Sequence, residues 1–182
     1  MRIKRIKIFA NNNDKSLLLK DVVATKLIKN DFEIVEDNFD LGIAIGGDGS
    51  FLRMIKDTNF DSNTYYIGIN AGTLGFAQEV EINDIENFIN DLKEDKLLIE
   101  ESTIYSKDDK IDKFYSLNEI VVREKTLNTL KLDVFIDNYL LENFAGDGIL
   151  VATSFGTTAY NLSFGGSIIY NTFHALELTT IA

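Results

Sequence analysis

The sequence predicts an α/β N-terminal domain, residues 1–95, followed by a β-rich, sandwich-like second domain, residues 96–182, that is incomplete. Three observations carry this. Short apolar runs at 41–45 and 65–69 are continuous, end abruptly in glycine or Asn-Ala-Gly turns, and are followed by apolar residues at helical spacing, as strands buried on both faces require. After Lys96 the pattern becomes a series of strand-like segments separated by turn signals. The last residues, 175–182, stay apolar to the end, where a finished domain more often closes with a polar tail.

Residues 3–9 alternate basic and apolar side chains and read as a strand, its cations the solvated face of a sheet edge. Asp14 is placed to cap a helix with Leu17, Leu18, Val22, Leu27 and Ile28 near helical spacing. The strand at 41–45 stops at Gly46-Gly47-Asp48-Gly49, and a helix is expected from about Ser50. After the strand at 65–69, Ile82, Ile85, Phe88, Ile89 and Leu92 form an amphipathic stripe. In the second domain strands are predicted at 97–105, 111–123, 129–136, 139–144 and 148–152, with Asp137-Asn138 as a tight hairpin turn and a short helix near 156–162. The chain has no proline, so its turns depend on Gly, Asn and Asp.

Composition narrows the chemistry. A chain that is 45% hydrophobic and 11% aromatic can build a packed core, and it has no apolar run of about 18 residues. The basic start is followed by Asn11-Asn12-Asn13-Asp14 instead of an apolar signal core, so a cytoplasmic location is expected, without a membrane partner. Zero cysteines remove thiol chemistry and cysteine-built zinc sites, and one histidine, His174, makes a histidine-built triad or metal site improbable. A net charge of −11 argues against a nucleic-acid surface. An acidic chain that binds an anionic nucleotide must attract it locally, through backbone N–H groups, helix ends or Mg²⁺.

Four motifs carry such chemistry. Gly46-Gly47-Asp48-Gly49-Ser50, between a buried strand and a helix, lets backbone N–H groups approach phosphate oxygens. A carboxylate there is unfavourable beside phosphate unless it holds Mg²⁺ or takes a proton from an attacking hydroxyl; otherwise Asp48 is a helix cap. The loop lacks the Gly-Lys-Ser/Thr of a Walker A sequence and the spacing of a dinucleotide GxGxxG. Asn70-Ala-Gly72-Thr-Leu-Gly75-Phe76 follows a second strand end, where open α/β sheets bind ligands. Asn118-Glu119 lies in an apolar stretch and needs polar partners, for which a ribose diol is suited. The fourth runs from Gly146-Asp147-Gly148 through Gly156-Thr157-Thr158-Ala159-Tyr160 to Ser163 and Gly166, a mixture of glycines, hydroxyls and one aromatic suited to a purine.

The order GGDG[S/T], NxGxLGF, NE and GDG…GTTAY…S…GG resembles the bacterial NAD kinase family from the first strand to the chain's end. GGDG alone is shared with diacylglycerol kinases and phosphofructokinases, and the last block is the one that selects the family. The resemblance implies phosphoryl transfer from ATP, or polyphosphate, to the 2′-hydroxyl on the adenosine ribose of NAD, at an active site between the two domains. It implies Asp48 as catalytic base and Gly46, Gly47, Gly49 and Ser50 as the phosphate loop. It further implies that Asn70, Gly72 and Phe76 line the nucleotide site and that Asn118 and Glu119 bind the NAD ribose. Thr158, Ala159 and Tyr160 then frame the adenine with Thr157 among the nucleotide-binding residues, Ser163 lies toward the nicotinamide, and Asp147 reaches NAD in a neighbouring subunit of a dimer or tetramer. The implied metal is Mg²⁺ held by the ATP phosphates, with Asp48 as the candidate protein ligand. Departures are Ala145 where many members carry arginine, Ser154 for a common proline, Phe155 for a small residue, Tyr170-Asn171 for His-Pro, and Ser50 for threonine. Family members also continue past the equivalent of Ala182, so the resemblance implies a truncated chain. The alternatives are a non-catalytic NAD-binding fragment and a lipid or sugar kinase sharing only GGDG.

Overall fold

Residue 43 explains the first half of the chain: Ile43 is fully buried at the centre of a strand whose two faces are both covered. The computed structural model describes residues 3–72, 75–102, 105–108, 113–126 and 128–181, which divide into two compact units, Met1–Leu98 and Ile99–Ala182. In the first, β1 (Arg5–Ala10), β2 (Glu33–Ile34), β3 (Leu41–Gly46) and β4 (Tyr65–Asn70) form a parallel sheet in the order β2-β1-β3-β4. Along β3 the side chains alternate. Leu41, Ile43 and Ile45 join the core formed with helix α1 (Asp14–Lys29) and helix α3 (Ile85–Lys93). On the other face, helix α2 (Asp48–Asp57) brings Met54 against Gly42, where a Cβ would stand 3.0 Å from the methionine sulfur.

Several expectations change here. Strand β1 is internal and not a sheet edge, because the two-residue β2 pairs beyond it; its basic side chains are tied down, with Lys7 Nζ donating to the Glu36 carbonyl at 2.7 Å and Arg5 to the Asp37 carbonyl at 3.1 Å. Helix α1 turns a different face inward. Ser16, Leu19, Val23 and Leu27 are buried, whereas Leu17, Leu18, Val22 and Ile28 are exposed. The cap also shifts by one residue: Asn13 Oδ1 accepts the Ser16 N–H at 2.9 Å, and Asp14 is the first residue inside the helix. Helix α2 begins at Asp48 rather than Ser50. The α3 stripe is buried at Ile85, Phe88, Ile89 and Leu92, while Ile82 stands outside it in a preceding 3₁₀ turn.

The second unit is antiparallel. β5 (Tyr105–Asp108) pairs with β6 (Lys113–Ser116), and β8 (Leu130–Ile136) pairs with β9 (Tyr139–Gly146). Between the latter two, Asp137 and Asn138 both take positive φ, 47° and 68°, as a type I′ hairpin turn demands. β7 (Glu119–Arg123), β10 (Gly148–Thr153) and β11 (Leu176–Ile181) form a sheet in the order β11-β10-β7 around Leu150, Ala152 and Ile181. The predicted strand at 97–105 has no regular structure over 97–102, and its residues 103–104 lie outside the described residues, as do 109–112. The strand predicted at 111–123 is broken at Leu117-Asn118, where the backbone bends to receive the chain after β10. The apolar tail forms β11.

The cap assignment is testable. Asn13→Ala should destabilise the first unit by about 1 kcal/mol in chemical denaturation, whereas Asp14→Ala, which removes only a charge near the helix start, should cost less. Equal losses would show that Asn13 is not the cap.

Candidate functional site

Pairing in register brings the carboxyl ends of three strands together: Ala10 of β1 faces Ile45, and Gly46 of β3 faces Asn70 of β4. The first two predicted motifs therefore share one sheet edge. Gly46 has φ +152°, and a Cβ on it would run into the Ser50 hydroxyl and stand 2.9 Å from Asn11 Nδ2. Ser50 is buried and its hydroxyl donates to Asn11 Oδ1 at 3.0 Å, an oxygen that also accepts from Arg53. Gly47 is the N-cap of α2 without a side-chain cap bond, and at Gly49 a Cβ would meet nothing within 4 Å.

Asp48, the first residue of α2, does not cap its own helix. Its Oδ2 accepts the Phe76 N–H at 3.1 Å and its Oδ1 accepts the Ala77 N–H at 2.9 Å. Asn70 is buried and closes the same loop, with Nδ2 donating to Glu81 Oε1 at 2.9 Å and Oδ1 accepting the Gly72 N–H at 2.8 Å. Gly72, at φ +133°, leaves its side-chain position to the Lys15 ammonium. The Phe76 ring is 60% exposed. Thr73 and Leu74 of this motif lie outside the described residues. Asn11, Lys15 and Arg53 escaped the sequence reading because they belong to no motif; only the strand end before Asn11 pointed at that edge. Among the described residues no three His, Asp or Glu side chains come together as a metal cage.

In the second unit the predicted residues gather at the carboxyl end of β10. Thr153 is fully buried, and its hydroxyl donates to the Leu117 carbonyl at 2.5 Å and accepts the Gly156 N–H at 3.0 Å. A Cβ on Gly156 would collide with the Asn118 backbone, so the 3₁₀ turn Phe155–Thr158 lies directly on Asn118. Thr157 is buried, its hydroxyl donating to the Ser154 carbonyl at 2.8 Å and accepting the Ile169 N–H at 3.1 Å. Thr158 and Ala159 are half-buried and lead into the helical turn α4 (Tyr160–Ser163), whose last residue, Ser163, is exposed. Tyr160 is 38% exposed, its ring edge-on to Phe164 at 4.7 Å and its hydroxyl accepting from Arg123 at 3.2 Å.

Beneath this turn sits a hub that the motif reading passed over. Asn161 is 0% exposed: its Nδ2 reaches Glu177 Oε2 at 2.7 Å, and its Oδ1 accepts the Thr179 hydroxyl at 2.6 Å. Glu177 in turn takes the Ser167 N–H at 2.7 Å. Asp147 is not part of the cluster. It is exposed at the opposite end of β10, whose six residues place Thr153 about 17 Å from Gly148.

Glu119 opens β7 opposite Ala152, and its Oε2 is buried with no hydrogen-bond partner among the described residues. Burial pushes its carboxyl above the usual glutamate range, partly offset by the Tyr160 backbone N–H.

The chain matches the family model described as ATP-NAD kinase N-terminal domain over residues 7–97 and the ATP-NAD kinase C-terminal domain over 117–182. It is 40% identical to the NAD kinase of Finegoldia magna, covering 98% of this chain and 68% of that protein. The NAD kinase of Limosilactobacillus reuteri is 36% identical, with 91% and 63% covered. The chain thus spans about two thirds of the length of these relatives. Its fold is that of yeast NADH kinase complexed with NADH (TM-score 0.78, 19% identity, 98% of this chain and 66% of that one). It is also that of an Archaeoglobus fulgidus NAD kinase in complex with ATP (TM-score 0.77, 24% identity, 98% and 72%).

The half-buried Glu119 carboxyl should make stability pH-dependent. Because its folded-state pKa is raised, its contribution is fully present below the ordinary value of 4.5 and is lost as pH rises through the folded value. Glu119→Gln should therefore be more stable than the parent at neutral pH, with the gain vanishing below pH 4.5 when thermal midpoints are compared. A pH-independent difference would locate the effect elsewhere.

Proposed function

The chain belongs to the NAD kinase family, and from that premise we propose that it transfers the terminal phosphoryl group of ATP to the 2′-hydroxyl of the adenosine ribose of NAD. The observation that carries this reading is the Asp48 carboxylate, held by two backbone amides beside the glycine loop at the sheet edge. Each of its oxygens keeps a lone pair after accepting one amide, so the carboxylate can still take the hydroxyl proton. The substrate O–H bond breaks as the new O–P bond forms, and the bond from the γ-phosphorus to the bridging oxygen of ADP breaks in line. The α2 N-terminus and the loop N–H groups attract the donor phosphates in an otherwise acidic chain. Polyphosphate offers the same terminal group and is the alternative donor.

Mg²⁺ bound with the donor phosphates would neutralise part of their charge. Asp48, the carboxylate beside the glycine loop, would be the protein group available to it, with donor phosphates and water completing its shell. For NAD, the unpartnered Glu119 Oε2 suits a ribose hydroxyl, with Asn118 beside it, and the Tyr160 edge with Thr158 and Ala159 suits the adenine. Thr157 and Asn70 serve the site by holding their loops, since their polar atoms are already engaged. Gly72, Phe76 and Ser163 remain accessible for nucleotide contacts. A cytoplasmic location goes with this substrate pair. The family membership displaces the lipid or sugar kinase alternative. Non-catalytic NAD binding stays as the second reading, because the Glu119 and Tyr160 groups that suit NAD can hold it without transferring phosphate.

The exposed Phe135, Ile136, Tyr139, Leu140 and Leu141 at the β8–β9 hairpin support self-association into a dimer or tetramer, which also gives exposed Asp147 a neighbouring subunit to reach. Sedimentation should show an oligomer; a single monomeric species at high concentration would sink that assignment.

NADP formation and calorimetric NAD binding, measured together, test the function. Asp48→Asn should keep NAD affinity and lose about 10²–10⁴-fold in turnover, and Tyr160→Ala should weaken binding by about 1–2 kcal/mol. Binding without any NADP formation would establish the non-catalytic reading, and full turnover by Asp48→Asn would rule out the base.

A further inference from the structure

We infer that the turn at residues 75–77 is the positioning element for the Asp48 carboxylate, and that Gly75 is the positioning residue whose missing side chain sets the carboxylate's place. The inference rests on Asp48 being the base of the proposed reaction. Three observations support it.

First, the helix that carries Asp48 does not orient its side chain: the N-cap is Gly47, and the carboxylate turns away from α2 to accept the Phe76 and Ala77 N–H groups, one on each oxygen. Two bonds on two oxygens fix both the position and the rotation of a carboxylate, which one bond cannot do.

Second, Gly75 is required by space and not by backbone conformation. It is not among the glycines at positive φ, yet a Cβ there would stand 2.5 Å from Asp48 Oδ1 and 3.1 Å from Gln78 Cγ. Any side chain at 75 must push the carboxylate or the turn aside.

Third, the turn itself is anchored to the sheet. The Val80 N–H donates to the Gly68 carbonyl at 3.1 Å and the Asn70 N–H to the Val80 carbonyl at 2.8 Å, so residues after the turn run beside β4. A Cβ on Gly68 would strike the Ala77 carbonyl oxygen, so the turn lies directly on the strand. Gln78 is buried under Gly75, its amide without a partner among the described residues, and it fills the space behind the turn. The amides that grip Asp48 thus belong to a turn bonded to the sheet. With the turn anchored in this way, displacement of the Asp48 carboxylate is the consequence of a side chain at 75.

The test is a kinetic cycle on the full chain with an exchange measurement beside it. Gly75→Ala should lower kcat by about 10²-fold, the scale of a base misplaced by about 1 Å, with NAD affinity by calorimetry and the unfolding midpoint little changed. The double variant with Asp48→Asn should be no slower than Asp48→Asn alone, because Gly75 acts only through that carboxylate. Unchanged kcat in Gly75→Ala, or losses that multiply in the double variant, would overturn the proposal. Amide exchange decides it independently of turnover: the Phe76 and Ala77 N–H groups should be protected in the parent and exchange faster in both Asp48→Ala and Gly75→Ala. If they exchange equally fast in the parent and Asp48→Ala, the turn does not hold the carboxylate. Full turnover by Asp48→Asn with protected amides would instead strike the kinase role of Asp48.

Discussion

Burial of β3 on both faces is the constraint from which the glycine-loop geometry of the first unit follows. One face must fill the core between α1 and α3, so it carries Leu41, Ile43 and Ile45; the other must let α2 approach closely, so it carries Gly42 and Ala44. With β1 and β4 paired in register on either side, three strands are forced to end at the same level. A strand that is completely enclosed can turn only at its end, and there the turn into α2 leaves no room for a side chain at Gly46, although Gly49 is open. The Gly46 Cβ position is claimed by the Ser50 and Asn11 side chains.

The second unit solves the corresponding problem with polar groups. Among the described residues its apolar core is small, Leu150, Ala152 and Ile181 with Val121 and Phe164 packed against it. A core of that size leaves the 3₁₀ turn and α4 to be fixed by hydrogen bonds, and the fully buried Thr153, Thr157 and Asn161 supply them. Such a network is favourable only when its members are satisfied, since a buried polar atom left unmade costs more than a formed bond returns. Asn161 uses both ends of its amide. Glu119 Oε2 is the exception, and an unsatisfied buried carboxylate oxygen beside a fully satisfied network is where a ligand hydroxyl would contribute most.

Motif and period make the buried strands, the glycine loop, the α3 stripe and the Asp137-Asn138 turn legible in the residues themselves, because each is a local pattern with a local cause. What stays hidden is tertiary. The buried face of α1 cannot be read from spacing, since Leu17, Leu18, Leu19, Val22, Val23, Leu27 and Ile28 leave two overlapping stripes and only the sheet chooses between them. The internal position of β1 depends on a two-residue strand, β2, too short to have a period. At the site, the motif residues are readable as neighbours of turns, but their partners are not: Asn11 meets Ser50 across 39 residues of chain and Arg53 across 42, and Glu177 meets Asn161 from a separate strand.

The Asp48 contact shows why a motif cannot reveal its own mechanism. In the sequence, an aspartate at this helix start admits three readings, cap, Mg²⁺ ligand or base, and each is sufficient to explain the residue. The geometry removes the first, because the α2 N-cap is Gly47 and the carboxylate points at a loop 28 and 29 residues further on. A cap would spend the carboxylate on its own helix and stabilise it locally; a carboxylate gripped by a distant, sheet-anchored turn instead ties two loops of the same edge together. The glycine of the second motif then has a cause that lies in the first motif, and the two motifs are one device rather than two adjacent ones.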